Sequence, residues 1–317
     1  MKFDNRIYLI IIGTIILYIT FLIISDLNTI FKSITDINIS YIPVILALGP
    51  ISWGLLFLRW NFLLKNSDIH IPVKENFKIF LVGYAMSATP GKIGELIKSQ
   101  LLSSRYNIPK KNTVPIVFVE QFYNLLGILF ISIIGIFHFE FSIYAVISIG
   151  IVCSIIFSLI NSKKFFEKTI NILSKKKIFK KYTESLIESH TVLKNSVKGK
   201  IFVKSSLLSI CFWLVESLIA YFVLHSFGVF NLEFITLSAT YTTSIIIGVV
   251  SFLPMGIGVV EGSLAGFLSF HGIELSLTLT LVIFIRIFTR WYGVTVGLIT
   301  MKSIGAFSLN NSVDKSN

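Results

Sequence analysis

Long apolar runs are the feature that most constrains how this chain folds. Six runs reach the roughly 18–20 residues that a helix needs to cross ~30 Å of hydrocarbon. They are 7–24, 43–64, 114–137, 141–160, 203–227 and 276–300. Charged residues make up only 14% of the chain, against about 25% in a soluble globular protein. The sequence therefore predicts an all-α, polytopic integral membrane protein with six full spans.

Two further apolar stretches, 77–103 and 234–271, are each interrupted by proline and glycine. The first break reads PGKIGE over residues 90–95, and the second reads PMGIGVVE over residues 254–261. Proline removes a backbone donor, and glycine tolerates unusual dihedral angles. We therefore expect two broken helices that enter the membrane and return as re-entrant hairpins. The alternative is that each stretch makes two short crossings.

The distribution of basic residues favours one orientation. With two re-entrant hairpins, one side of the membrane holds 22 Lys and Arg against 7 acids, and the other holds 1 Lys against 5 acids. Cytoplasmic segments carry the excess of Lys and Arg. We therefore expect a multi-pass protein of the cell (plasma) membrane with both termini in the cytoplasm. Two short crossings per break give the same sidedness, so charge leaves that alternative open.

Each half of the chain contains one break with a glutamate after it, and the two breaks enter from opposite sides in this topology. Such an arrangement is typical of an inverted repeat with a binding site near the midplane. The chain accordingly divides into an N-terminal membrane half, a basic linker, a C-terminal membrane half and a polar tail. Their bounds are 1–160, 161–204, 205–301 and 302–317.

The linker 161–204 carries twelve lysines and three glutamates. Part of it has apolar or aromatic residues at helical spacing, namely Phe179, Tyr182, Leu186, Ile187, His190 and Leu193. A helix of this kind can lie on an anionic leaflet. The alternative is a solvated cytoplasmic loop that fixes the topology. Binding to nucleic acid is not expected, because no base-reading residues accompany the lysines.

Glutamates at both breaks admit two interpretations. Glu95 and Glu261 each fall in the first turn of a half-helix, where an acid offsets the positive helix end and caps free N–H groups. Alternatively, these helix ends face an anionic group such as a lipid phosphate, together with Lys92 and Lys98. Both interpretations can hold at once.

Other ionisable residues lie within the full spans, where they are costly and usually functional. Glu216 and Arg286 are both near the middle of a span, so we predict an ion pair between them, which either serves function or simply joins two helices. Arg59 and Arg290 lie closer to cytoplasmic ends, where they are expected to snorkel to the interface.

The candidate substrate-binding residues are those of the two breaks and the charges within the membrane. They are Pro90, Gly91, Lys92, Gly94, Glu95, Lys98, Glu120, Glu216, Pro254, Gly256, Gly258, Glu261 and Arg286. Histidines and cysteines are scattered singly, so no metal, cofactor or catalytic residue is predicted.

At the two breaks the chain resembles the lysylphosphatidylglycerol synthase transmembrane region, a flippase-like family of bacteria and archaea also called UPF0104. The residues that carry the resemblance are 90–95 with Lys98, and 254–261. Supporting matches are Glu120, Trp213, Arg286, Trp291 and Gly297. The sequence departs from the family where Gln121 and Asn124 follow Glu120, and where Met255 replaces the first of two glycines.

The resemblance implies a lipid translocase that moves a phosphate-bearing, aminoacylated or polyprenyl lipid between leaflets. The alternative is an enzyme of lipid or glycan biosynthesis, such as a transferase, or a membrane subunit that docks a cytoplasmic synthase. An enzyme of this kind normally needs an acidic metal-binding pair or a nucleotide loop. The sequence contains no Asp-x-Asp and no glycine-rich nucleotide loop, so a transporter is favoured over an enzyme.

Overall fold

A computed structural model of the protein describes residues 37–135, 142–173 and 183–306. These residues form helices and connections, with no strand among them, which confirms the predicted all-α fold. The α-helices are α1 Ile42–Asn66, α2 Val73–Ala85, α3 Ile97–Tyr106, α4 Lys110–Gly135, α5 Ser142–Asn161, α6 Lys163–Leu173, α7 Thr183–Asn195, α8 Gly199–Ser226, α9 Phe234–Val250, α10 Val259–Phe270, α11 Leu275–Arg286 and α12 Tyr292–Ser303.

Among the described residues, four helical segments are long and apolar enough to cross a membrane, and each matches a predicted span. They are Ile39–Asn66, Lys110–Ile133, Gly199–Ser226 and Leu275–Ser303. A fifth predicted span corresponds to α5, which bends by 104° into α6, so that the pair adds at most one more span. The predicted span 7–24 lies outside the described residues.

Both predicted breaks are present. Two 3-10 turns, Met86–Ala88 and Pro90–Leu96, separate α2 from α3, and a third turn, Pro254–Gly256, separates α9 from α10. The two arms at each break pack against each other. At ~1.5 Å per residue, α2, α3 and α10 are about 20 Å, 15 Å and 18 Å long, and α9 is about 26 Å long, whereas hydrocarbon is ~30 Å thick. The short arms favour re-entrant hairpins, most clearly at the first break.

The described part of the linker packs on the protein itself. Helix α7 contacts α4 and α6, and His190 is buried with its ring 4.9 Å from the ring of Phe166. The interpretation of this stripe as a leaflet-binding face is therefore wrong for α7. Phe179 and Tyr182 of the predicted stripe lie outside the described residues.

Helix α8 is central to the membrane part, because it packs against α1, α4, α9 and α11. At Gly127, α4 approaches it so closely that an added Cβ would lie 2.9 Å from the backbone carbon and oxygen of Ser209. Small residues allow helix backbones to approach closely in membranes. Gly127 therefore sets the distance between the two helices.

Gly127→Ala is expected to lower the free energy of unfolding by about 1–3 kcal/mol, because overpacking forces the two backbones apart. Gly54→Ala is the matched control, since a Cβ at Gly54 in α1 would meet nothing within 4 Å. Detergent-induced unfolding followed by tryptophan fluorescence measures both. Equal stability of the two variants would show that α4 and α8 can move apart to accommodate the added methyl group at no cost in stability.

Candidate functional site

The two breaks meet inside the fold. The turn Pro90–Leu96 contacts the turn Pro254–Gly256, and residues of both breaks line one cavity of about 270 Å³. The ionisable side chains on its wall are those of Arg59, Tyr84, Lys92, Glu95, Glu120, Arg286 and Arg290. A charged cavity at this place matches the predicted meeting point of the broken helices.

The backbone of the first break is held by Thr89. Its hydroxyl donates to the Met86 carbonyl at 2.9 Å and accepts from the Gly94 N–H at 2.7 Å. Position 94 has no room for a side chain, because an added Cβ would contact that same carbonyl and the Thr89 side chain. Lys92 adopts a left-handed backbone conformation with φ 56°, and it lines the cavity.

Lys98 joins the first break to α4. Its ammonium group lies 3.1 Å from Glu95 Oε2 and 2.6 Å from Glu120 Oε2, and it stands 4.5 Å from the centre of the Trp60 ring. The Lys98 side chain is 1% exposed. Gly83 leaves room for it, because a Cβ there would contact the Lys98 Cγ. Lys98 is therefore a buried counter-ion for two carboxylates that line the cavity.

Glu261 holds the second break together. Its Oε2 accepts the Gly258 N–H at 2.8 Å, which caps α10. Its Oε1 lies 2.8 Å from Arg286 Nε, and Arg286 Nη2 donates to the Met255 carbonyl at 2.8 Å. Both charged side chains are fully buried. The capping role expected of Glu261 is thus observed together with an ion pair.

The predicted pair between Glu216 and Arg286 is wrong. Glu216 Oε2 lies 3.5 Å from Arg290 Nη1, whereas Arg286 forms its ion pair with Glu261. Helices α10 and α11 are adjacent, which brings Glu261 to Arg286, and a π-helical turn, Ile287–Trp291, connects α11 to α12. Such turns occur often at functional sites.

The snorkelling predicted for Arg59 and Arg290 is also wrong. Arg59 is 1% exposed and donates through Nη1 to the Ser209 hydroxyl. Arg290 lines the cavity with its guanidinium 5.3 Å from the Trp213 ring. Both arginines therefore point into the protein and contribute positive charge to the cavity wall.

Cationic groups exceed carboxylates around this cavity. Arg59, Lys92, Lys98, Arg286 and Arg290 stand against Glu95, Glu120, Glu216 and Glu261. Within the described part of the chain, neither Lys92 nor Arg59 has a carboxylate within salt-bridge distance. Arg59 Nε and Arg286 Nη1 are buried donors for which the described residues supply no hydrogen-bond acceptor. These donors suit an anionic ligand.

Apolar residues form the opening of the cavity. Val249, Phe252 and Leu253 line it and are themselves exposed, Phe252 by 81%. They lie at the end of α9 and just before the second break. The cavity is thus lined inside by charged and apolar side chains together, and it is apolar at its lip.

The predicted site residues therefore fall into three groups. The first group lines the cavity and consists of Lys92, Glu95, Glu120, Gly256 and Arg286. The second group lies behind the lining residues and stabilises the wall through ion pairs or a hydrogen bond; it consists of Lys98, Glu216, Gly258 and Glu261. Pro90, Gly91 and Gly94 belong to the first turn and Pro254 to the second. Sequence reasoning did not predict the other lining residues, among them Arg59, Tyr84, Gln121, Asn124 and Arg290. Arginine within an apolar run was the available signal for two of them.

Fold and cavity together define a polytopic α-helical membrane protein with a charged chamber between two broken helices. The chain belongs to the lysylphosphatidylglycerol synthase transmembrane region family, whose sequence model matches residues 9–297. It is 20% identical to a UPF0104 membrane protein of Methanothermobacter thermautotrophicus over 97% of this chain and 98% of that protein. It is 26% identical to a UPF0104 membrane protein of Methanocaldococcus jannaschii over 78% of this chain and 82% of that protein.

Proposed function

We propose that this protein translocates a phosphate-bearing lipid between the two leaflets of the cell membrane. The observation that carries the proposal is the cavity, which combines unpaired cationic donors inside with an apolar opening. The headgroup enters the cavity while the chains stay in hydrocarbon at the lip. Aminoacylated phospholipids and polyprenyl phosphates both have this chemistry.

The donors around the cavity match a phosphate group. Guanidinium groups bind phosphate through two parallel hydrogen bonds, and lysine binds it as a point charge. Among the described residues, none accepts a hydrogen bond from Arg286 Nη1 or Arg59 Nε, and none offers Lys92 a carboxylate within salt-bridge distance. A phosphate in the cavity would therefore satisfy buried donors that are otherwise unpaired.

The size of the cavity supports a headgroup rather than a whole lipid. Its volume of about 270 Å³ is below the roughly 300–1,000 Å³ of pockets that enclose drug-sized molecules. The exposed side chains of Val249, Phe252 and Leu253 at the opening are suited to contact with acyl or prenyl chains. The lipid chains therefore remain outside the charged chamber throughout transport.

Lys92→Gln is expected to slow translocation at least tenfold while leaving stability near that of the wild type. Loss of a charge-assisted contact is worth about 1.5–3 kcal/mol, and Lys92 has no buried carboxylate that its removal would leave unpaired. The measurement is translocation in proteoliposomes of labelled zwitterionic, anionic, aminoacylated and polyprenyl-phosphate lipids.

Lys78→Gln is the matched control, because Lys78 is half-exposed on α2 and pairs with Glu75 away from the cavity. It should move lipid at the wild-type rate. Failure of folded wild-type protein to move any of the four lipids would contradict the proposal. That result would favour the alternative, a membrane partner of a cytoplasmic lipid synthase.

A further inference from the structure

The four buried glutamates around the cavity are not held equally. Glu95 and Glu120 share the ammonium group of Lys98, and both oxygens of Glu261 have partners at 2.8 Å. Glu216 is 0% exposed, yet its ion pair with Arg290 is 3.5 Å long and its hydrogen bond from the Tyr241 hydroxyl is 3.4 Å long, and the Ser52 hydroxyl lies beside it. Its Oε1 accepts no hydrogen bond from any described residue. Glu216 is therefore the most weakly compensated carboxylate.

Few groups near Glu216 can replace Arg290 as its counter-charge. The other ionisable groups that face it are Arg286 on α11, Tyr241 on α9 and Tyr84 on α2. Arg286 is committed to Glu261 at 2.8 Å. Helix α1 contributes Ser52, whose hydroxyl donates to the Gly49 carbonyl at 2.9 Å. Helix α4 contacts α8 at Gly127 and Asn124, which do not titrate, and at Tyr123, whose ring lies 6.1 Å from the Phe202 ring.

Arg290 links this carboxylate to the cavity. It lines the chamber and is 16% exposed, whereas Glu216 is fully buried behind it. A phosphate in the chamber offers Arg290 two short charge-assisted hydrogen bonds in place of one contact at 3.5 Å. Binding of the phosphate would thus draw Arg290 away from Glu216.

We infer that Glu216 is a proton-binding site coupled to the binding of a lipid phosphate at Arg290. An uncompensated buried charge is strongly unfavourable, so the Glu216 carboxylate takes a proton from water as Arg290 turns to the phosphate. For a phosphodiester lipid, one negative charge and one proton enter together, which leaves the charge of the chamber unchanged. When the lipid leaves, Arg290 returns and the proton is released to water. The inference rests on the proposed function and adds that lipid and proton move together.

Calorimetric titration tests the coupling in two buffers of different ionisation enthalpy. The probes are short-chain phosphatidylglycerol and methyl geranyl phosphate in detergent micelles, both phosphodiesters whose single charge does not titrate near neutral pH. By linkage, wild-type protein should take up about one proton per lipid bound, and Glu216→Gln should bind lipid with uptake near zero. Glu233→Gln, at an exposed glutamate before α9, should behave as the wild type.

Each outcome has a distinct meaning. Lipid binding without proton uptake by the wild type, or equal uptake by Glu216→Gln, overturns the coupling and leaves the translocase proposal standing. Binding of neither probe overturns both proposals. If Glu216→Gln does not fold, infrared difference spectra of the wild type decide the matter. A protonated-carboxyl band must appear when lipid binds, and its absence overturns the inference.

Discussion

Lys98→Met is expected to lower the free energy of unfolding by about 3–5 kcal/mol, which is typical when one partner of a buried ion pair is removed. The loss arises because Glu95 and Glu120 would face each other without the ammonium group that now lies 3.1 Å and 2.6 Å from them. Methionine keeps the length and apolar stem of lysine, so the packing beside Gly83 and Trp60 is retained. Detergent-induced unfolding monitored by tryptophan fluorescence gives the difference.

Lys78→Met is the matched control for this prediction. Lys78 also pairs with a glutamate three residues before it, at 2.8 Å from Glu75, but both side chains are about half-exposed. Exposed pairs of this type contribute about 0–1 kcal/mol. The double variant Lys98→Met with Glu120→Gln should recover part of the loss, because one carboxylate is then neutral. A loss of equal size in Lys98→Met and Lys78→Met would contradict a structural role for the buried cluster.

Local patterns in the sequence were sufficient to predict the described spans and both breaks. Apolar length alone identifies α1, α4 and α8, because hydrocarbon tolerates few other structures. Pro90 and Pro254 mark the breaks, because a proline ring removes a helix hydrogen bond. Each of these features depends only on a short stretch of sequence, so it can be predicted without knowledge of the tertiary contacts.

The pairing of the buried acidic and basic side chains could not be predicted from a short stretch of sequence. Arg286 and Arg290 are four residues apart and stand near Glu261 and Glu216, but which acid meets which base depends on helix rotation. The π-helical turn between α11 and α12 changes that rotation. No local pattern in the sequence predicts this turn.

Snorkelling of Arg290 was predicted because it lies near the end of the last span. The structure shows why this fails, since the last span packs tightly on its neighbours just beyond Arg290. A Cβ at Gly293 would contact the Tyr84 ring, and one at Gly297 would contact the Leu81 carbonyl. Because α12 packs this closely against α2, the Arg290 side chain lies at the cavity and does not extend to the interface.

The backbone conformation at Met255 explains why the family often has glycine at this position. Its backbone is left-handed with φ 52°, and Gly256 beside it has φ 66°. Glycine adopts this region freely, whereas other residues do so at a cost. The first glycine often found in the family therefore suits the conformation observed here. The Met255 carbonyl still reaches Arg286, so the departure leaves the anchoring of the second break intact.

Glu261→Gln is expected to lower the free energy of unfolding by about 3–5 kcal/mol, because it leaves the buried guanidinium of Arg286 without a carboxylate. The amide oxygen of glutamine can still accept the Gly258 N–H, so the cap of α10 survives. Glu261→Ala removes the cap as well and should lose a further ~0.5–2 kcal/mol. Unfolding curves of the two variants separate the ion pair from the cap.

The double variant Glu261→Gln with Arg286→Gln then distinguishes structure from function. The double variant leaves no buried charge without a partner, so the free energy of unfolding should recover by about 0.5–3 kcal/mol relative to the sum of the single changes. Lipid movement should stay lost, because the free Nη1 of Arg286 is one of the donors proposed for the phosphate. Recovery of both stability and lipid movement would instead show that this pair serves only to hold the second break in place.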